Sequence, residues 1–393
     1  MRSTPAQQRP FRLRTITAGA RLESPVDRAT LRASMDFLDK AQRQFEENGY
    51  EVQMARIASQ PAAEYLAGLS GAEALEALCE LDLTVAEGGV LLSVGPVNTG
   101  SAPDELAPWV AEVVAATSHL SASVEVASSS RGVDLEACRT AAEVMAHIAG
   151  ATSGGEGNFR FAAAANIQPG TPFFPVAYHD GEEAFSIGLE SAGLVKIAFT
   201  DAADLSDAKE RLRALLEAEL APVEALGHEI ARREDWRYLG IDVSPAPGLD
   251  DSIAEAIELL SGVAFGGAST LTVCAAITEV LQRLPVTTCG YSGLMLPVLE
   301  DRVLAQRAGE NRYGVEELLL FSSVCGTGLD VVPLAGDTPV DAVAALIGDV
   351  ATLSSKLGKP LSARLFLVPG KSAGDLVSFE NPHLTDCVVM GLD

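Results

Sequence analysis

Two cysteine–glycine pairs, Cys289-Gly290 and Cys325-Gly326, bracket two helical segments within the stretch from Thr287 to Asp337. Each pair is followed by a further glycine, Gly293 or Gly328, and an apolar run that ends near a proline. Glycine permits positive φ and close backbone approach, so such turns can present a side chain to a ligand. A thiol there could serve as a nucleophile or radical carrier, or equally as a small apolar filler. A second group is acidic: His179, Asp180, Glu182 and Glu183 fall close together, and Asp242 ends another strand candidate. Carboxylates and an imidazole at strand ends suit acid–base work or a hard divalent cation. An acidic loop is also an ordinary solvated turn. Gly266-Gly267 before a helix, and Gly154 to Asn158 after one, offer backbone N–H groups to an anion. Neither matches a phosphate-loop or dinucleotide fingerprint, so no nucleotide is expected.

These residues sit on a β-α rhythm. Phe11 to Ala20 alternates and is rich in β-branched residues, which predicts a strand; Tyr50 to Ala58, Gly89 to Val97 and Ser121 to Ser128 read the same way. Helices are expected from Ser24 to about Asn48, over Pro61 to Cys79, Asp104 to Ala116 and Asp134 to Ala149. The middle section predicts a strand from Asn158 to Ile167, then a hairpin of Ala184 to Glu190 with Leu194 to Phe199. A long helix from Asp201 to about Arg233 precedes a strand at Tyr238 to Val243. Asp250 or Asp251 is expected to cap the next helix, and Ser269 the one after Gly266-Gly267. Leu294 to Val298 and Leu329 to Leu334 read as strands, as do Ala363 to Pro369, Asp375 to Phe379 and Thr385 to Leu392. About ten strands with helices outside suit an α/β barrel. A loose start over 1–10 and a single domain over 11–393 are expected.

Composition narrows the partners. The net charge of −26, from 54 acidic and 28 basic residues, argues against nucleic acid and anionic membranes, both of which recruit Lys and Arg. No run of about 18 apolar residues marks a membrane span, and the basic start lacks the apolar core of a signal peptide. None of the six cysteines forms a C-x-x-C pair, so neither a zinc site nor a disulfide framework is expected. A cytoplasmic protein, a homodimer by the commonest symmetry, is the expectation.

Several stretches together resemble one family. They are Arg14-Thr-Ile-Thr17; Asn158 to Ile167; Gly-Glu-Glu-Ala-Phe-Ser-Ile before Gly188; Asp242-Val-Ser-Pro-Ala-Pro-Gly; Gly290 to Pro297 with Glu300-Asp301; and Cys325 to Pro333 with Gly336-Asp337-Thr338. The pattern is similar to the domain-of-unknown-function 711 family, which resembles pyruvate formate-lyase and ribonucleotide reductase in fold. That resemblance implies a single ten-stranded α/β barrel of two five-stranded halves, with a cysteine on a finger loop inside. The glycyl-radical loop of those enzymes is not in this sequence, so radical chemistry is not expected.

The functional expectation is a non-radical enzyme, lyase or hydrolase rather than radical, binding a small polar metabolite inside the barrel. The alternative is a non-catalytic metabolite-binding or regulatory protein. His179, Asp242, Cys289 and Cys325 are the catalytic candidates. Thr15, Thr17, Asn158, Gly267, Ser292 and Asp330 are the ligand-binding candidates. A divalent metal is compatible with the acidic group, with no particular ligand set assigned.

Overall fold

The computed structural model describes residues 9–98 and 105–392. Most of the expected loose start, residues 1–8, lies outside them, as do Asp104 and Asp393.

The strands are β1 (Arg12–Ala20), β2 (Ala55–Ser59), β3 (Leu91–Pro96), β4 (Leu120–Ser128), β5 (Gly132–Val133), β6 (Phe161–Ala165), β7 (Ala184–Glu190), β8 (Arg237–Ala246), β9 (Gly328–Ala335), β10 (Leu361–Val368), β11 (Leu376–Val377) and β12 (Cys387–Val388). One ten-stranded sheet runs β8-β7-β1-β2-β3-β4-β6-β10-β9, with β5 hanging off β4. Five strands, β1, β2, β3, β4 and β6, are mutually parallel. The pairs β7–β8 and β9–β10 are parallel within themselves and antiparallel to that block. The two sheet edges reach towards one segment: Thr288 bridges Ile241 of β8, and Pro297 bridges Asp330 of β9, both parallel.

Leu13, Ile16 and Ala18 of β1 are fully buried, as are Ile57 of β2 and Leu92 of β3. Helices cover the sheet and start where side chains accept their free N–H groups. Asp27 does this for the helix Arg28–Glu47, and Ser70 with Glu73 forms a capping box for Gly71–Glu87. Asp301 is fully buried and serves two helices at once. It accepts from Val303 and Leu304 at the start of Arg302–Gly309, and from Ile253 and Ala254 at the start of Ile253–Ser261.

Several local expectations are corrected. Leu194 to Phe199 belongs to a helix, Ala192–Phe199, not to a hairpin strand. The reason is topological: β7 pairs in parallel with β8, and a parallel pair needs a crossover rather than a tight turn. Leu294 to Val298 makes only the single bridge at Pro297. The last two strand candidates shrink to the two-residue partners β11 and β12. Asn158 lies in a 3-10 turn, Ser153–Arg160, before β6 begins. Ser252, not Asp250 or Asp251, caps its helix through the Glu255 N–H, and Ser269 adopts positive φ without a side-chain cap. The segment 62–79 is two helices, Ala62–Tyr65 and Gly71–Glu87.

The loop 168–180 lies against one face of this sheet. Thr17 Oγ1 donates to the Pro172 carbonyl at 2.9 Å, and Ser93 Oγ to that of Ala177 at 2.6 Å. The His179 N–H bonds Ser59 O at 2.9 Å, and Phe173 packs over Gly188. The loop therefore ties β1, β2, β3 and β7 to one another.

Candidate functional site

A cavity of about 1030 Å³ remains, lined by residues from the start of β1, β2, β3, β4, β9 and β10 and by the segment 291–300. Its most distinctive feature is charge placed in apolar strands. Arg14 of β1, Arg56 of β2, Asp330 of β9 and Arg364 of β10 all line it, with Glu300. Strand side chains alternate between faces, so each such charge faces away from the helices packed against its buried neighbours.

Most of these charges are paired in a chain. Arg12 meets Glu190 at 2.7 Å, and Glu190 meets Arg14 at 2.9 Å. Arg14 also reaches Glu300, Glu300 meets Arg364 at 2.8 Å, and Arg364 meets Asp330 at 2.7 Å. Glu300 is held below its usual range: burial raises it, but Arg14 and Arg364 outweigh that. Asp330 goes the other way. Burial pushes it up, and Glu300 adds to this against the pull of Arg364. One arginine therefore serves two carboxyls whose proton affinities are driven apart.

Arg56 is the exception. Its Nε is enclosed and has no hydrogen-bond partner, and its guanidinium carbon stacks 5.0 Å from the Phe174 ring. Burial, reinforced by Arg14, pushes its pKa down to about 9, so it stays protonated at neutral pH. The cavity also carries neutral polar groups. The Tyr291 hydroxyl donates to Ser362 Oγ at 2.8 Å, and Thr327 Oγ1 is buried without a partner. Phe159, Phe173 and Met295 supply apolar surface.

Of the catalytic and ligand-binding candidates named from sequence, Asp330 alone lines this cavity, together with Glu156 and Gly157 of the Gly154 to Asn158 loop. Asp242 is fully buried and accepts four hydrogen bonds: from Ser244 N (3.1 Å) and Oγ (2.6 Å), Tyr291 N (2.7 Å) and Ser292 N (3.0 Å). Burial raises its carboxyl against those donors, and all of them use it as an acceptor. Asp242 thus shapes the turn that sets Tyr291 into the cavity. Ser292 takes part in that turn through Oγ–H to Cys289 O at 2.8 Å. Cys289 is partly accessible, but its thiol is pushed up by burial and by Asp242. That is the reverse of the electropositive setting that makes a reactive thiolate. Cys325 is fully buried. Its neighbour Gly326 packs backbone to backbone on Gly293, and the Gly326 N–H bonds Leu294 O at 2.8 Å.

His179 is buried against Gly19, its Nε2 2.7 Å from the Glu182 carbonyl and its Nδ1 unpartnered. Burial lowers its pKa. Thr15 and Thr17 bond each other at 3.1 Å, and Thr17 holds the 168–180 loop. Asn158 donates to Met145 O at 3.2 Å, and Gly267 belongs to a turn before the helix Thr270–Leu281. Among the described residues, no group of three or more His, Cys, Asp or Glu is placed to hold a metal ion. No helix among them is long and apolar enough to cross a membrane.

Arg56 and Arg364 went unselected at the sequence level, and Arg14, Tyr291 and Glu300 appeared only inside motifs. The available signal was a charge amid an apolar strand, as in Ala55-Arg-Ile-Ala-Ser59 and Leu361-Ser-Ala-Arg-Leu-Phe-Leu-Val368.

The profile of a family described as uncharacterised ACR (DUF711) matches residues 6–380. A UPF0210 protein of Desulforudis audaxviator is 31% identical over 352 residues, covering 85% of this chain and 78% of the relative. One from Pyrobaculum aerophilum is 32% identical over 280 residues, covering 68% of this chain and 61% of the relative. One from Carboxydothermus hydrogenoformans is 26% identical over 402 residues, covering 95% of this chain and 89% of the relative.

Proposed function

The chain belongs to the DUF711 family, and we propose that it is an enzyme that binds a small polar metabolite in the arginine-lined cavity and acts on it without a radical. The observation that carries this reading is the Arg56 guanidinium, enclosed at Nε and without a hydrogen-bond partner, in a cavity large enough for a metabolite. Proteins pair buried charges, so an unpaired one beside open volume is best explained by a ligand that completes it. Asp330 and Tyr291 are the groups in this site suited to moving a proton, and Arg14 and Arg364 hold the carboxyls around them.

The proposal includes the architecture. With the segment 287–297 as a further stave between β8 and β9, β7 to β10 and that segment make five parallel strands facing five others. This is a closed ten-stranded barrel of the pyruvate formate-lyase type. The strand order and the bridges at Thr288 and Pro297 support it. In such a barrel the Cys289 turn takes the finger-loop position. Cys289 and Cys325 are not among the cavity-lining residues, which supports chemistry that uses neither a radical nor a thiol.

The test is a thermal-stability screen with small polar metabolites, followed by mass spectrometry of each stabilising compound after long incubation. A ligand bound only by the folded state raises Tm by mass action. Stabilisation with conversion is expected, and conversion should survive Cys289→Ala and Cys325→Ser. Stabilisation without conversion would leave a binding protein, and no stabilisation by any compound would remove the site.

A further inference from the structure

The charges around the cavity specify the ligand more narrowly, resting on the reading that the cavity binds a metabolite. Arg12, Arg14 and Arg364 face Glu190, Glu300 and Asp330 in one continuous chain of contacts, three charges of each sign. Glu51 also touches Arg12, at 3.0 Å, but its side chain is 53% exposed and solvated. Arg160 lines the cavity too, yet both its terminal nitrogens are already spent. They donate to the carbonyls of Val114 and Leu120 and to Thr117 Oγ1. Arg160 keeps its charge, and Glu156 also lines the cavity. Arg56 differs from the other cavity guanidiniums in that its enclosed Nε has no hydrogen-bond partner, and Glu300 acts on it only through space.

A guanidinium presents parallel N–H groups that match the two oxygens of a carboxylate. A second full negative charge would find the terminal nitrogens of Arg160 already donating to the protein, and would share the cavity with Glu300 and Asp330. Phe174 stacks on Arg56, Phe159 lies against Arg364, and Phe173 and Met295 add apolar surface elsewhere on the cavity. Tyr291, Ser362 and Thr327 offer hydroxyls across the space.

We propose that the cavity takes a monocarboxylate: one carboxylate forked on Arg56, and a largely apolar or aromatic body against Phe159, Phe173, Phe174 and Met295. Dicarboxylates and phosphate dianions are disfavoured by the carboxylates of Glu300 and Asp330 that share the cavity.

The test is calorimetric titration and Tm measurement with four probes: benzoate, acetate, succinate and inorganic phosphate. The proteins are the wild type, Arg56→Met and Arg56→Lys. Benzoate should bind most tightly. Its affinity should fall at least tenfold in Arg56→Met and by less in Arg56→Lys, which keeps the charge and loses the fork. Tm without ligand shows that both variants fold. Tighter binding of succinate or phosphate, still lost in Arg56→Met, would overturn the monocarboxylate assignment and leave the cavity as the binding site. Benzoate affinity unchanged in both variants would overturn the role of Arg56. No binding by any of the four would overturn the ligand class, whereas the site itself stands or falls with the broader metabolite screen.

Discussion

Arg56 and His179 are both enclosed groups with an unpartnered nitrogen, and they make opposite predictions. Arg56 carries a largely buried charge whose Nε has no hydrogen-bond partner in the protein, so removing it should stabilise the unliganded protein. Arg56→Met keeps the length and apolar contact with Phe174 while deleting the charge. Replacing buried charge by apolar side chains stabilises by up to about 1–4 kcal/mol, which for a chain of this size is a rise in Tm of roughly 1–5 °C. Calorimetry without ligand checks it; a lower Tm would mean that the guanidinium is held by the protein itself. His179 is a site of pH dependence. Burial keeps its folded-state pKa below the unfolded value of about 6.5. The unfolded chain therefore binds a proton in that window that the folded chain refuses, and stability rises with pH there. The contribution is complete above about pH 6.5 and is lost as pH falls through the folded value. Against wild type, His179→Gln should flatten the Tm–pH curve below about pH 6.5. An unchanged slope would show that His179 titrates as freely folded as unfolded.

Among the elements, the Asp242 turn and the Gly293–Gly326 contact are where a small change should cost most. Gly290 has φ +62°, and a Cβ there would run into the Asp242 carboxylate; Gly293 and Gly326 meet through their backbones with no room for a methyl group. Gly326→Ala should lower the urea midpoint, with a loss of stability of about 1–3 kcal/mol, because the clash is with backbone that cannot step aside. Asp242→Ala should cost a similar amount by leaving the N–H groups of Tyr291 and Ser292 without an acceptor. Asp242→Asn, which keeps one oxygen, should recover part of it. Loss below 1 kcal/mol for both Gly326→Ala and Asp242→Ala would mean that the turn is not held this way. These elements also show how far the sequence could be read. β1, β4 and β10 were legible, since Arg12–Ala20, Leu120–Ser128 and Leu361–Val368 carry the β-branched or apolar content of strands. Leu194–Phe199 was not, because a short apolar run serves a buried helix as well as a strand, and only the parallel pairing with β8 decides. The two Cys-Gly turns were recognisable as special, but their meaning was not. Gly293 and Gly326 meet through their backbones, and the cavity is lined instead by Arg56, Asp330 and Tyr291, whose convergence depends on pairings far apart in sequence.

At the scale of the whole molecule, charge acts in two regimes that salt separates. The net charge of −26 spreads mostly over an exposed surface, where like charges repel and destabilise the compact state. The chain from Glu190 through Arg14, Glu300 and Arg364 to Asp330 is largely buried, and mobile ions screen buried pairs far less. Raising the salt from about 10 mM to about 150 mM shortens the screening distance from roughly 30 Å to roughly 8 Å. Surface repulsion should weaken while the buried chain keeps its strength, so Tm should rise by a few degrees. The same argument fixes the kinetics of entry. A carboxylate approaching the cavity crosses a repulsive field before it meets Arg56, so the association rate of benzoate should increase with salt while its dissociation rate barely changes. This is the reverse of steered association between opposite charges. Stopped-flow measurement at both salt concentrations decides it. An association rate that falls with salt would mean that Arg160 and the other arginines lining the cavity outweigh the acidic surface around it.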